Sequence, residues 1–196
     1  MAVDVADIKK LKDLTGVGLT SAKKVLEEVN GDFDAALKEL RVKGLAKAEN
    51  KSEREVSAGI VHAYVHGSKI GVLVELNCET DFVARTDDFK NLANDIALHI
   101  AATSPKYLTV GDIPEDEVQK EKDLTAAELK EQGKPAEMVD KITEGKLNKW
   151  YTEIVLLQQP FVKNPDITVE ELVKEGIAKL GENIAISQYS RIELGA

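Results

Sequence analysis

Apolar residues recur every three to four positions in the first part of the chain and at alternate positions just after it, and this change of period marks the main division of the sequence. In "DIKKLKDL", residues 7 to 14, Ile8, Leu11 and Leu14 share one helical face before the glycine-rich break "TGVG". A second helix is predicted over "SAKKVLEEV", capped by Thr20 or Ser21, with Ala22, Val25, Leu26 and Val29 inward and "NGD" at 30 to 32 ending it. The third, "DFDAALKELRVKG", opens at Asp32 or Asp34, buries Phe33, Ala36, Leu37 and Leu40, and closes with Arg41, Lys43 and Gly44 near the negative end of its dipole. Residues 1 to 44 thus read as a three-helix module, 45 to 57 as a charged linker of the flexible-tether type, and 58 to 196 as a core.

In the core the period is two. Ile60 to Val65 and Ile70 to Leu76, separated by "HGSK", predict a hairpin. A helix follows over "DDFKNLANDIALHIAAT", capped by Thr86 or Asp87, with Phe89, Leu92, Ile96, Leu98 and Ile100 on a broad apolar face. Pro105 and "GDIPEDEVQKEKD" read as a connection. Helical patterns then occupy "TAAELKEQ", "PAEMVDKITEGKLNKWYTEIVLLQQ" and "TVEELVKEGIAKL", with Pro135 in a first turn and Pro160 as a stop. The last stretch, "ENIAISQYSRIEL", places Ile184, Ile186, Gln188, Ser190, Ile192 and Leu194 on one face of a strand. The fold class expected is α+β, with a small, mainly antiparallel three-stranded sheet in which the C-terminal strand returns to the hairpin. Helices at 87 to 102 and 135 to 181 cover one face. Burial of the other against a second copy is the basis for expecting a homodimer.

Composition narrows the chemistry. With 35 Asp and Glu against 26 Lys and Arg, the net charge of -9 disfavours a nucleic-acid partner. The basic run Arg41, Lys43, Lys47, Lys51 and Arg54 lacks stacking aromatics and is diluted by Glu49 and Glu53. Apolar runs such as Ile70 to Val74 fall far short of a membrane span, and Asp4 and Asp7 interrupt what an export signal would need. A single cysteine, Cys78, makes no internal disulfide, and a cytoplasmic setting is expected. The "GVG" at 16 to 18 follows no strand and lacks the lysine and hydroxyl spacing of a phosphate loop. His62 and His66 lie about 13 Å apart if both are on one strand, too far to share an ion. Neither His99 nor Cys78 has an evident catalytic partner in the sequence, so no enzyme, metal or cofactor is expected.

Two short stretches call for another explanation. Val17 and Leu19 sit in the turn between helices, where they serve either docking or local packing. In "LNCETDFVARTDDF", Phe82 and Val83 stand among acidic and turn-prone residues. The Phe82 ring either tucks back onto its own helix against Phe89 or Val83, as most loop aromatics do, or faces a partner.

The combination of "LTGVGLTSAKKVLEEVNGDFDAALKELRVKG", "VLVELNCETDFVARTDDF", "GKLNKWYTEIVLLQQPFVK" and "LGENIAISQYSRIELG" resembles the elongation factor Ts family over nearly the whole chain, with "TDFV" at 80 to 83 its most specific signature. The resemblance implies a ubiquitin-associated-like N-terminal module and guanine-nucleotide exchange on the GTPase elongation factor Tu, without chemistry of its own. It implies that Asp81 and Phe82 enter between two helices of the partner's nucleotide domain near its magnesium site, with Thr80 and Val83 shaping the turn. It also implies that Leu14, Val17, Leu19 and Lys23 touch a helix of that domain. Compared with longer family members, the chain corresponds to one core half-domain, without the second half and its inserted helical hairpin. A passive adaptor that docks through its helical module is the alternative function.

Overall fold

The computed structural model describes residues 3–195. The chain divides into two compact units, Met1–Ala101 with Glu171–Ala196, and Ala102–Glu170. The first contains the three-helix module and the main sheet. Helix α1, Val5–Thr15, begins where the Asp4 carboxylate accepts from the Ala6 N–H at 2.9 Å, and ends at Gly16 in the left-handed region, φ 69°. A side chain at Gly16 is excluded twice over, since a Cβ there would also lie 2.6 Å from the Lys179 Cα. Helix α2, Leu19–Glu28, starts straight after Gly18 with no side-chain cap. Neither Thr20 nor Ser21 caps it, because the Gly16–Gly18 reversal starts the helix ahead of both.

Helix α3, Phe33–Glu49, is capped by Asp32, whose carboxylate accepts from the Ala35 N–H at 3.0 Å. Leu11, Ala22, Leu26 and Ala36 form the dry centre of the module, joined by Ile8, Val25 and Leu40 and flanked by Val17, Val29, Phe33 and Leu37. The helix does not stop at Gly44. An interior glycine costs a helix about 1 kcal/mol, and burial of the Ala48 methyl in the turn beyond, at about 0.8 kcal/mol, offsets most of that. In the segment that follows, Glu49 pairs with Lys174 at 2.9 Å and Lys51 donates to the Gly181 carbonyl; before it, Arg41 pairs with Glu175 at 3.1 Å.

The main sheet has the order β1 (Ala58–His66), β2 (Ile70–Cys78), β5 (Ile184–Glu193), all antiparallel, so the C-terminal strand returns to the hairpin as expected. Strands β1 and β2 join through a turn in which Gly67 and Ser68 both have positive φ and the Lys69 N–H donates to the His66 carbonyl at 3.0 Å. In the central strand Val72, Val74, Leu76 and Cys78 face the core, whereas Leu73 faces out. Two helices lie over the inner face: α5, Asp87–Thr103, and α8, Val169–Leu180. Asn94 of α5 meets His62 at 3.4 Å, the Ala101 carbonyl accepts from Arg191 at 3.3 Å, and the methyl missing from Gly176 would lie 2.7 Å from Leu92.

Strand β5, Ile184–Glu193, departs from the expected single face. Glu75 pairs with Gln188 and Leu76 with Ile186, which leaves Ser187 as an extra residue in the ladder. One extra residue exchanges the two faces of a strand. Ile184 and Ile186 are therefore buried, whereas Ile192 is 72% exposed.

The second unit is mostly helical. Helix α6, Glu115–Glu131, takes in the acidic stretch that reads as a connection in the sequence. Three acids, Glu115, Asp116 and Glu117, occupy its first turn, where they suit the helix dipole, and Lys120 bonds Asp116 at 2.8 Å one turn on. Helix α7, Ala136–Ile154, completes a helical hairpin with it, clasped by Lys146 and Glu128 at 2.8 Å. A helical hairpin is thus present in this chain, where the resemblance implied that the family's inserted one is missing. Helix α7 ends before Pro160 can stop it: Val155 turns extended and bridges Tyr107, and Ile113, Ile154 and Val155 gather Tyr107, Val118, Trp150 and Tyr151 around them. A small ladder of β3, Pro160–Phe161, and β4, Asn164–Thr168, follows, too short to show a period in the sequence.

Two expectations follow. A Cβ at Gly59 would sit 2.3 Å from the Leu76 carbonyl oxygen, so Gly59→Ala should destabilise the protein by about 1 to 3 kcal/mol in urea titration. The Cys78 thiol ends the buried row of β2, and burial, then the Glu182 carboxylate, push its pKa up. It stays protonated through neutral pH; a disulfide reagent should therefore titrate it slowly in the native protein and rapidly in denaturant.

Candidate functional site

The chain leaves β2 through Glu79 and Thr80 and enters α4, Asp81–Ala84, a helix of four residues. So short a helix has almost no stability of its own and depends on what its ends are attached to. Ala84 is buried, Val83 is half-buried, and the Thr86 hydroxyl both donates to the Val83 carbonyl at 2.8 Å and accepts from the Phe89 N–H at 3.2 Å, capping α5 as the sequence suggests. At the other end the Thr80 N–H and hydroxyl both donate to the Glu182 carboxylate, at 3.0 and 2.6 Å. The Cys78 Sγ–H donates to the Thr80 carbonyl at 3.2 Å.

On this base Phe82 is 85% exposed and Phe89, seven residues on, is 0% exposed. The ring is not folded back on the protein's own helix. Asp81 is also exposed, loosely paired with Arg85 at 3.8 Å, a contact between two solvated groups that contributes little. Its carboxylate remains accessible beside the ring.

The second group of sequence-selected residues lies on α1 and α2. Leu14 and Leu19 are 53% and 54% exposed on either side of the Gly16–Gly18 turn. Val17 is half-buried against the core of the module, so it shapes that turn more than it extends the surface. Lys23 is exposed and 3.6 Å from Glu27. The structure thus gathers Thr80, Asp81, Phe82 and Val83 on one turn, and Leu14, Leu19 and Lys23 on another. A cleft of about 460 Å³ lies next to the second group, between Leu14, Val17, Leu40, Arg41 and Ala178. Beside it Glu175 is held above its ordinary pKa by burial, an effect that Arg41 partly offsets.

Reading the sequence alone misses the residues that support the first turn. Asn183 donates its backbone N–H to Glu79 at 2.6 Å and its side-chain amide to the carbonyls of Ser52 and Arg54, at 3.1 and 2.7 Å. Glu79 also lies 3.6 Å from Arg54. Glu182 and Asn183 are more than a hundred positions from the residues they hold, so no local pattern links them. The signal available was the turn-prone "GEN" placed ahead of a strand. Among the described residues no group of His, Cys, Asp and Glu is arranged to hold a metal, and no helix is long and apolar enough to cross a membrane.

Known proteins match this sequence over nearly the whole chain. The family profile described as Elongation factor TS matches residues 3–196. Elongation factor Ts of Herpetosiphon aurantiacus is 50% identical over 197 residues, covering 100% of both chains, and that of Coprothermobacter proteolyticus is 50% identical over 196 residues with the same coverage. Elongation factor Ts of Carboxydothermus hydrogenoformans is 51% identical over 96% of this chain and 87% of its own. Relatives of the same length share the pattern from end to end, and the chain belongs to the elongation factor Ts family.

Proposed function

We propose that this chain is a cytoplasmic guanine-nucleotide exchange factor for elongation factor Tu that works by inserting the Asp81–Phe82 turn near the partner's magnesium and nucleotide site. One observation carries the reading: an aromatic ring 85% exposed on a short helix whose base is fixed. Burying that ring in a partner groove releases about 2 to 3 kcal/mol. If the groove exists only when the nucleotide site is distorted, the same free energy is lost from nucleotide affinity, because coupling between two sites is reciprocal. That corresponds to weakening nucleotide binding by about 30- to 150-fold. No bond is made or broken in this step. Asp81 brings a negative charge toward a site where phosphates and a cation are in balance, and so adds to the disturbance.

The module at residues 1–44 supplies a second grip through Leu14, Leu19 and Lys23, with Val17 holding their turn in shape. Binding energy gained there supports strain at the first contact. The outer face of the sheet is a third surface. Val61, Val65, Leu73 and Ile192 are 69%, 67%, 50% and 72% exposed, an apolar field on which a second copy of the same face can pack to make a homodimer.

Phe82→Ala is expected to lower the saturating rate of fluorescent GDP release from the loaded partner by tenfold or more, about half of the full coupling on a logarithmic scale, with little change in the unfolding midpoint. Unchanged release in stopped flow would refute the insertion. Binding of the wild-type protein with no acceleration of release would instead favour the passive adaptor. For the sheet face, light scattering of the wild type at micromolar concentration should give a dimer mass, and Leu73→Lys with Ile192→Lys a monomer mass; a wild-type monomer would end the dimer proposal.

A further inference from the structure

Helix α4 presents a mechanical problem. A ring that lies in water contributes no packing to its own fold, and four residues close too few backbone bonds to hold a direction unaided. The orientation of Phe82 is therefore set at the two ends of α4 and by its packing against β1 and β2. The C-terminal end is held by Ala84 in the core and by the Thr86 hydroxyl. The N-terminal end is Thr80, in extended conformation at φ -134° and ψ 153°, and it does not use its hydroxyl to cap the helix as a threonine there normally would. That hydroxyl instead points out of the helix to Glu182, at 2.6 Å, and the Thr80 N–H reaches the other oxygen of the same carboxylate at 3.0 Å. Two donors from one residue meet both oxygens of one acceptor, an arrangement that fixes angle as well as distance.

Glu182 is itself held. Its neighbour Asn183 is anchored by Glu79, from the turn that Glu182 grips, and by the carbonyls of Ser52 and Arg54. Each of the two turns thus supplies a carboxylate to the other's backbone N–H: Glu182 to Thr80, and Glu79 to Asn183. Gly181 adds a third tie, its carbonyl accepting from Lys51.

We propose that Glu182 is a positioning residue for nucleotide exchange, acting through Thr80 to keep α4 rigid while Phe82 is driven into the partner. The inference rests on the reading of Phe82 as the inserted group. A ring on a yielding base can still find a groove, but the strain then falls on α4 instead of on the partner's nucleotide site. Loss of the grip should consequently reduce the rate of release at saturation more than it reduces binding.

The test compares Glu182→Ala, Thr80→Val, Phe82→Ala and the double variant Phe82→Ala with Glu182→Ala. Each is titrated against the partner GTPase loaded with fluorescent GDP, and unfolding midpoints are measured alongside. Glu182→Ala is expected to lower the saturating release rate about tenfold while the half-saturating concentration stays within about twofold, since a bidentate contact to a carboxylate is lost but no partner contact is. Thr80→Val, which keeps the N–H bond, should fall between it and wild type. In the Phe82→Ala background, Glu182→Ala should change nothing further, because one residue acts through the other. Wild-type release by Glu182→Ala, or the same proportional loss in the Phe82→Ala background, overturns the inference while leaving the insertion intact. Wild-type release by Phe82→Ala refutes the insertion itself and takes this inference with it. Should Glu182→Ala fail to fold, Glu182→Gln, which retains one acceptor oxygen, and Thr80→Val carry the same comparison.

Discussion

The bidentate contact between Thr80 and Glu182 is the constraint on which the candidate site depends. An aromatic ring left in water forgoes about 2 to 3 kcal/mol of burial, and the fold has to hold its backbone by other means. Here the means are polar and nonlocal. Two turns at the same end of the sheet exchange carboxylates, and a one-turn helix stands on the result. The buried neighbours of that helix, Cys78 before it and Ala84 and Phe89 after it, continue the core right up to its base. The transition from rigid core to exposed ring therefore takes only a few residues.

The same junction reaches toward the N-terminal module. Asn183 holds the carbonyls of Ser52 and Arg54, Lys51 bonds Gly181, and Lys174 and Glu175 of α8 pair with Glu49 and Arg41 of α3. Most of these contacts are partly exposed, so each contributes modestly, and their effect is more geometric than energetic. A segment that composition alone describes as a solvated tether is instead attached at several points. On the proposed two-surface grip, strain can pass from one surface to the other only if what lies between them resists extension.

The sheet shows how one irregularity assigns surfaces. Without the extra residue at Ser187, the alternation of β5 would put Ile192 on the same side as Ile184 and Ile186. With it, the first half of the strand completes the core and the second half adds an isoleucine to the outer face already carrying Val61, Val65 and Leu73. That outer face is the one on which the proposed homodimer would pack. The inner face at the same end receives Arg191 instead, whose guanidinium donates to the Ala101 carbonyl.

Much of this protein is legible in its sequence because its elements are local. Helical spacing of Ile8, Leu11, Val25, Leu26, Ala36 and Leu40 defined the module, the capping aspartate at 32 acts as its side chain allows, and alternation around "HGSK" specified the hairpin and hence the α+β class. The stretch at 80 to 83 likewise stood out as an aromatic residue among acidic and turn-prone ones, though not which way its ring would face. What the sequence could not determine were outcomes that depend on partners far along the chain. The continuation of α3 beyond Gly44, the switch of face in β5, the water-facing position of Phe82 against the buried one of Phe89, and the grip of Glu182 on Thr80 all follow from the same cause. Periodicity records the preference of each residue for a local environment. Burial and carboxylate contacts are decided by which surfaces the folded chain brings together.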